Sequence, residues 1–487
     1  MVNKKINMER IGFQIDNSYT ELPKELYSVI ETKDVSNPSF VMFNESLAES
    51  LGLDFSMISD SEKAEIFCGN IRLPNSIPIA QAYGGHQFGR FTFLGDGRAL
   101  LLGEHITPDG SRVDIQLKGS GPTPYSRGGD GLAALGPMLR EFLISEAMAA
   151  LNIPTTRSLA VVLTNQRVHR QVDLDGAVLT RIAKSHIRVG TFQYALAQGG
   201  VETLRALADY TIHRHFPNIN DENRYLELLN EVIKAQAKLI AQWQLVGFIH
   251  GVMNTDNMAI SGETIDYGPC AWLDTYEPKT VYSSIDYSGR YAFINQPAIA
   301  AWNLARFAET LLPLLEKDQF LAQKMAQDAV ETFLPLFKDE WLSGMRKKLG
   351  LFSEEVEDEG LIDELLNIMH KQKLDYHLTF VNLTTNIDAY EKKFEFAEWL
   401  IKYRIRRSRQ RESLDESIVL MKSVNPAIVP RNHLVEEALS HATEHDLSKF
   451  NHLLELLKTP FQYSSEQLQA NQPASASSVP YKTFCGT

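Results

Sequence analysis

The 487-residue chain is poor in cysteine: Cys68, Cys270 and Cys485 stand too far apart for a zinc spacing or a disulfide framework. It holds no run of about 18 apolar residues, so no membrane-spanning helix is expected. A positive surplus is also missing. Against 61 Asp and Glu there are 48 Lys and Arg, and the formal charge of −13 argues against broad nucleic-acid binding. The opening MVNKKINMERIGFQIDNSYTELP mixes both charges and has no apolar core segment, so neither a signal peptide nor a transit peptide is expected there. What is present, 44% apolar and 22% charged residues, is ordinary for a soluble globular protein of two or three domains. The expectation is a cytoplasmic enzyme, a monomer that engages neither nucleic acid nor membrane.

The chemistry gathers between Gly247 and Gly268. An amphipathic pattern from Asp221 to Val246 repeats every 3.6 residues and stops at Gly247. A polar turn, Asn254-Thr255-Asp256-Asn257, follows; then come a short apolar run, a turn at Ser261-Gly262-Glu263, and Asp266-Tyr267-Gly268. Helix, polar loop, hairpin and Asp-x-Gly is the order of parts around the metal site of a protein kinase. With Gly262-Glu263 as a two-residue turn, Asn257 and Asp266 are diagonal neighbours on one face; a three-residue turn separates them. Both registers stay open. One part departs from the kinase pattern: His250-Gly251 leads to Val252, which cannot take a proton where a kinase has its catalytic aspartate. The nearest carboxylate is Asp256.

Upstream, Gly-rich Ala82–Gly89 precedes a strand at Phe91–Leu94, a turn at Gly95-Asp96-Gly97-Arg98 and an apolar strand at Ala99–Gly103. A turn at Pro108–Gly110 leads into Arg112–Lys118, whose alternation puts Lys118 on the polar face. Lys118 then either faces a phosphate-holding cleft or is a solvated strand end. The run Gly119–Gly131 suits a loop whose N–H groups approach an anion, yet it fits neither Walker A nor Gly-x-Gly-x-x-Gly. A helix begins near Pro137 and carries Glu141, with Glu146 the alternative partner for Lys118. Strands at Leu159–Leu163 and Val178–Ile182 bring a basic cluster, Arg181, Lys184, His186 and Arg188, towards the same cleft. Arginine forks match phosphate oxygens, and pairing with surface carboxylates is an equal alternative.

Short helices are expected at Ser46–Leu51 and Ser59–Ile66. Past an aromatic, turn-rich segment ending at Pro297, helices are expected over Trp302–Leu315, Gln319–Phe337, Glu340–Leu349, Asp358–His370, Tyr390–Gln410 and His433–Ala442. The basic run from Lys402 to Arg411 reads as a solvated helix end rather than a substrate dock. From Tyr463 onward the composition predicts disorder, leaving Cys485 accessible.

Six stretches of the chain carry a resemblance to a known family. They are Gly85–Gly89, Leu94–Ala99, Gln116–Gly121, Arg127–Gly131, His250–Met258 and Ile265–Pro269, with Val424-Asn425-Pro426 and Arg431-Asn432-His433 further on. Together they resemble the selenoprotein O family, kinase-like proteins that transfer AMP to protein hydroxyls. The resemblance implies an α+β, protein-kinase-like two-lobed fold with a β-rich N-lobe, a helical C-lobe, and N-terminal and long C-terminal helical extensions. The expected boundaries are 1–79 for the first extension, 80–195 and 196–330 for the lobes, 331–462 for the helical region and 463–487 for the tail. It further implies that Gly95, Gly97, Arg98, Lys118, Asp130, Gly131, Arg181, Arg188 and Asp266 contact ATP, and that Glu141 pairs with Lys118. Asn257 and Asp266 would hold Mg²⁺ or Mn²⁺, and Asp256 would accept the proton. The implied activity is adenylylation of Ser, Thr or Tyr hydroxyls with loss of pyrophosphate, with self-modification and a redox link through Cys485. The competing readings are a γ-phosphoryl kinase, which Val252 opposes, and a non-catalytic nucleotide-binding scaffold.

Overall fold

Every second residue of Arg112–Lys118 is apolar, and that alternation builds a strand at the middle of an open antiparallel sheet. The computed structural model describes residues 8–220, 222–474 and 481–484. In chain order the strands are β1 (Ile15–Asp16), β2 (Tyr27–Val29), β3 (Ser39–Phe43), β4 (Ile79–Gln81), β5 (Gly84–Gln87), β6 (Arg90–Phe93), β7 (Ala99–Ile106), β8 (Arg112–Lys118), β9 (Arg157–His169), β10 (Asp173–Ala183), β11 (Phe248–Ile249) and β12 (Ala271–Trp272). The main sheet runs β2-β4-β7-β8-β10-β9-β3, with β1 against β7; β5-β6 and β11-β12 form separate pairs. The protein is thus α+β, with strands concentrated in the first 183 residues and helices prevailing afterwards.

Register decides which side chains share a face. β8 pairs Lys118 with Ala99 on β7 and with Leu179 on β10, and it pairs Gln116 with Arg181. Lys118 and Arg181 therefore stand on the same side of neighbouring strands. The helix Leu135–Ala150 packs across β9 and β10 with Pro137 in its first turn. Its apolar stripe, including Leu139, Phe142 and Leu143, joins the largest hydrophobic cluster and leaves Glu141 pointing at the strand cations.

The long amphipathic helix spans Arg224–Leu245 and ends before Gly247, whose φ of 64° no helix can continue. Expected helix starts at Ser46 and Ser59 match Glu45–Ser50 and Asp60–Phe67, the latter with a Ser59–Glu62 capping box. Further on the boundaries shift. The expected Gln319–Phe337 and Glu340–Leu349 helices are redistributed as Gln319–Glu331 and Phe333–Lys348, because Pro335 has no N–H for the Glu331 carbonyl. The expected Tyr390–Gln410 helix contracts to Ala397–Ser408, after a short helix at Asp388–Glu391. Helices at Tyr376–Thr385 and Leu414–Val424 were not anticipated; Asp375 and Ser413 cap them.

The tail departs from expectation in its described part. Ser464 caps a helix at Ser465–Ala470. Thr483 lies on the body of the protein, its hydroxyl donating to the Pro269 carbonyl at 2.7 Å. Cys485 lies outside the described residues. Cys68 and Cys270 are both buried free thiols, and burial pushes each up to about 11. Among the described residues no helix is long and apolar enough to cross a membrane.

Candidate active site

Between the sheet and the Gly247–Gly268 stretch lies a cavity of about 430 Å³, lined by residues from Tyr83 through Arg188 and from Val252 through Pro269. At its floor the strand and helix charges meet. Lys118 Nζ donates to Glu141 Oε2 at 2.6 Å and to Asp266 Oδ1 at 2.8 Å. Arg181 Nε donates to Glu141 Oε1 at 2.7 Å, and its Nη2 to Asp266 Oδ1 at 2.6 Å. Arg188 Nη1 reaches Asp266 Oδ2 at 3.1 Å and the Asp256 carbonyl at 2.8 Å. Glu146, the alternative partner, is taken by Arg157 instead.

The node is buried and cation-rich: three basic groups face two carboxylates. Burial alone would raise both acids, but Lys118, Arg181 and Arg188 overcome it at Asp266 and hold that carboxyl well below the usual range. Arg181 and Lys118 do the same for Glu141, which also lies lower than usual. Asp266 has a φ of 63°, a left-handed conformation that aspartate tolerates better than most residues.

Asp256 is different. It sits in the short 3₁₀ turn Thr255–Asn257, and its Oδ1 is buried with no hydrogen-bond partner among the described residues. Burial pushes its carboxyl up to about 6. The turn is held rigidly. Thr255 Oγ1 donates to Gln193 Oε1 at 2.8 Å, Asn303 Nδ2 donates to the Met253 carbonyl at 2.9 Å, and Asn257 Nδ2 donates to the Val252 carbonyl at 2.9 Å. That last bond engages one N–H of the Asn257 amide and leaves its carbonyl oxygen available as a ligand. From the other side β5 closes over the carboxylate: a Cβ on Gly85 would lie 2.1 Å from Asp256 Oδ1, so only glycine fits. The Gly84-Gly85 pair was the sequence signal for this approach, and its role was not read from the sequence.

Two sequence expectations are corrected here. Asn257 and Asp266 do not stand on paired strands. Ala259 forms an isolated bridge with Arg188 and Thr264 with Thr155, so the segment between them pairs outward. The turn itself closes from Gly262 N–H to the Ala259 carbonyl, around Ile260-Ser261 rather than Gly262-Glu263. Both residues nevertheless line the cavity. Of the basic cluster, only Arg181 and Arg188 reach it. Lys184 is exposed, and His186 Nδ1 sits 2.8 Å from Asp114 Oδ2.

Gly95, Gly97, Arg98, Asp130 and Gly131 all line the cavity. A Cβ on Gly95, where φ is 141°, would lie 2.5 Å from the Tyr125 ring, so this glycine lets the turn press against the 119–131 loop. Asp130 does not face inward freely: Arg170 holds it at 2.8 Å and lowers its carboxyl below the ordinary value. Sequence reasoning missed Arg170, as well as Tyr83, whose ring lies 4.5 Å from the Arg188 guanidinium carbon. It also gave Asp96 no role, although burial pushes this carboxyl up to about 6. His250 is structural. It stacks on Trp243 at 5.3 Å and its Nε2 lies 2.9 Å from the Ile265 carbonyl.

A cavity whose floor carries surplus positive charge beside an acid with one buried, unpartnered oxygen suits a polyanion and a proton transfer. The family described as protein adenylyltransferase SelO matches residues 9–458. Relatives named protein nucleotidyltransferase YdiU are 58% identical over 483 residues in Alkaliphilus metalliredigens, covering 98% of each chain. The one in Brevibacillus brevis is 57% identical over 492 residues, covering 100% of each chain, and one in Clostridium botulinum is 58% identical over 483 residues, covering 98% of each. The chain therefore belongs to the SelO family of protein adenylyltransferases. It is a nucleotidyltransferase with ATP as its nucleotide substrate and proteins as acceptors.

Proposed function

We propose that this chain adenylylates Ser, Thr or Tyr hydroxyls from a kinase-like two-lobed body, residues 80–195 forming the β-rich lobe and 196–330 the helical one. The observation that carries the reading is the buried, unpartnered Oδ1 of Asp256 at the wall of a cation-rich cavity. An acid held near 6 is mostly ionised at neutral pH and still basic enough to take a proton, which suits a general base.

The acceptor hydroxyl gives its proton to Asp256 while its oxygen bonds to the α-phosphorus of ATP. The bond from that phosphorus to the oxygen bridging to the β-phosphate breaks, and pyrophosphate leaves with the electron pair. Lys118, Arg181 and Arg188 offset the charge that gathers on the leaving group, and Arg98, Gly95, Gly97, Asp130 and Gly131 contribute the wall around the nucleotide. In this reading the α-phosphate, not the γ, stands at the reacting position.

The donor set suits a hard divalent ion. Asn257 Oδ1 and the Asp266 carboxylate are oxygen ligands, and two protein oxygens completed by phosphate and water are what Mg²⁺ usually takes. Mg²⁺ or Mn²⁺ there would neutralise phosphate charge. Glu141 is a structural partner that keeps Lys118 and Arg181 in place. The protein acts as a cytoplasmic monomer in this reading.

The test uses purified protein, a generic protein acceptor, divalent ion and ATP labelled at either the α- or the γ-phosphate. Protein-bound label from α alone supports adenylylation. Label from γ alone would mean a kinase, and ATP binding without label from either would mean a nucleotide-binding scaffold.

A further inference from the structure

A strip of aromatic surface beside Asp256 has no role in the transfer just described. The β5–β6 hairpin is built directly on the Asp256 turn, with His86 N–H donating to Thr255 Oγ1 at 2.7 Å and Phe88 N–H to Asn254 Oδ1 at 3.1 Å. Its outer residues are apolar where solvent would favour polar ones: Phe91 is 39% exposed and Phe93 46%. The strip is continuous. Tyr194 meets Phe93 at 5.8 Å, Phe93 meets Phe91 at 5.3 Å, Phe91 meets His86 at 5.2 Å, and His86 meets Trp302 at 5.2 Å. At its far end the Arg290 guanidinium carbon stands 4.8 Å from the Trp302 ring centre.

Two observations make this more than scattered surface residues. Phe88 at the hairpin tip has a φ of 51°, a conformation that bulky side chains avoid and that marks backbone held in place against its preference. Arg290 lies against the Tyr291 and Trp302 rings and donates to the Tyr291 hydroxyl, while its buried Nε has no hydrogen-bond partner among the described residues. In a chain of formal charge −13 this is a cation presented next to an apolar strip. A guanidinium steadied by aromatic stacking is prepared for a carboxylate, and the phenylalanines are prepared to cover an apolar side chain.

We propose that this strip is the docking surface for the protein acceptor, and that it selects a segment carrying an acidic residue and a large apolar residue near the modified hydroxyl. The proposal rests on the adenylylation reading only for what the docked segment is there to do. Its recognition chemistry stands on the strip itself.

The test is direct binding, read by fluorescence anisotropy, of two labelled synthetic peptides with one serine each. One has Glu and Phe beside the serine, the other Lys and Gln. The wild-type protein is expected to bind the first about tenfold more tightly. Phe91→Ser/Phe93→Ser is expected to lose about tenfold of that affinity, and Arg290→Glu to reverse the preference, each keeping the ATP-induced rise in unfolding midpoint. Equal affinity of the wild-type protein for the two peptides would overturn the proposal whatever the variants do, as would variants that bind like wild type. The readout needs no AMP transfer. Selective binding without α-label incorporation would therefore sink the catalytic reading alone, and transfer to both peptides with equal binding would sink docking alone.

Discussion

Arg431 and Arg181 are both buried arginines, and their surroundings end differently. Arg431, 0% exposed, is closed on every side: Nε donates to the Asn471 carbonyl and its Oδ1 at 2.8 and 2.9 Å, Nη1 to Asp274 and Asp375, and Nη2 to Asp375 at 2.9 Å. Two carboxylates surround one cation there, tying the 376–385 helix and the 432–443 helix to the segment after β12. Arg181, 2% exposed, belongs instead to a node in which three cations meet two carboxylates at the edge of a cavity. Burying charge is costly unless it is compensated, so a closed node is built for structure and an open, cation-rich one is built for a ligand that brings the missing negative charge. The same residue type thus does two jobs, and the count of partners tells them apart.

The sharpest way to break the comparison is to remove its shared acid. Asp266→Ala leaves Lys118, Arg181 and Arg188 facing Glu141 alone, so both stability and function should fall. Unfolding free energy should drop by about 3–5 kcal/mol in chemical denaturation, and α-label transfer should drop by on the order of 10²–10³. Asp256→Asn separates the two effects. Transfer should fall by about 10²–10⁴, but the fold should not weaken, since Asp256 holds no ion pair in the node. Its carboxyl is pushed up to about 6 from an ordinary 3.8, so the folded state favours the protonated form. That contribution to stability is present at low pH and lost as pH rises through about 6. The Asn variant should therefore match wild type in acid and unfold at a higher temperature above about pH 6. Arg431→Ala, at the closed node, should cost about 3–5 kcal/mol in unfolding, with transfer by the protein that remains folded changed by less than about threefold. Gly85→Ala acts on transfer alone. Its new Cβ must push Asp256 aside, and a displaced base should cost roughly 10-fold to 100-fold in transfer rate with the ATP-induced rise in unfolding midpoint kept.

Much of the cation-rich node was legible in the sequence because its parts sit in regular elements. Alternation put Lys118 on the polar face of β8, and Pro137 marked the first turn of the helix, begun at Leu135, that brings Glu141 round to it. Val252 in place of an acid drew attention to Asp256. What was not legible depends on contacts far apart in the chain. Asp266 accepts from residues 148, 85 and 78 positions away, and no local pattern encodes that convergence. The expected hairpin after Asn257 failed for the same reason, since Ala259 and Thr264 find partners at Arg188 and Thr155. The closed node was invisible as such: Arg431-Asn432-His433 stood out as a motif, but its partners at Asp274, Asp375 and Asn471 come from three other segments. The basic run ending at Arg411 fared better, since Lys402, Arg404 and Arg409 pair with Glu364, Glu391 and Glu355 at the surface. Within that run Arg406 is buried against Asp358, which composition alone did not reveal.

In the proposed reaction Asp256 takes the proton while Asp266 serves the node. The most direct test measures Asp256→Asn and Asp266→Asn side by side for α-labelled transfer and for thermal unfolding. Both variants should lose transfer, and only Asp266→Asn should lose unfolding midpoint. An Asp256→Asn protein that transfers AMP at near wild-type rates would contradict the account.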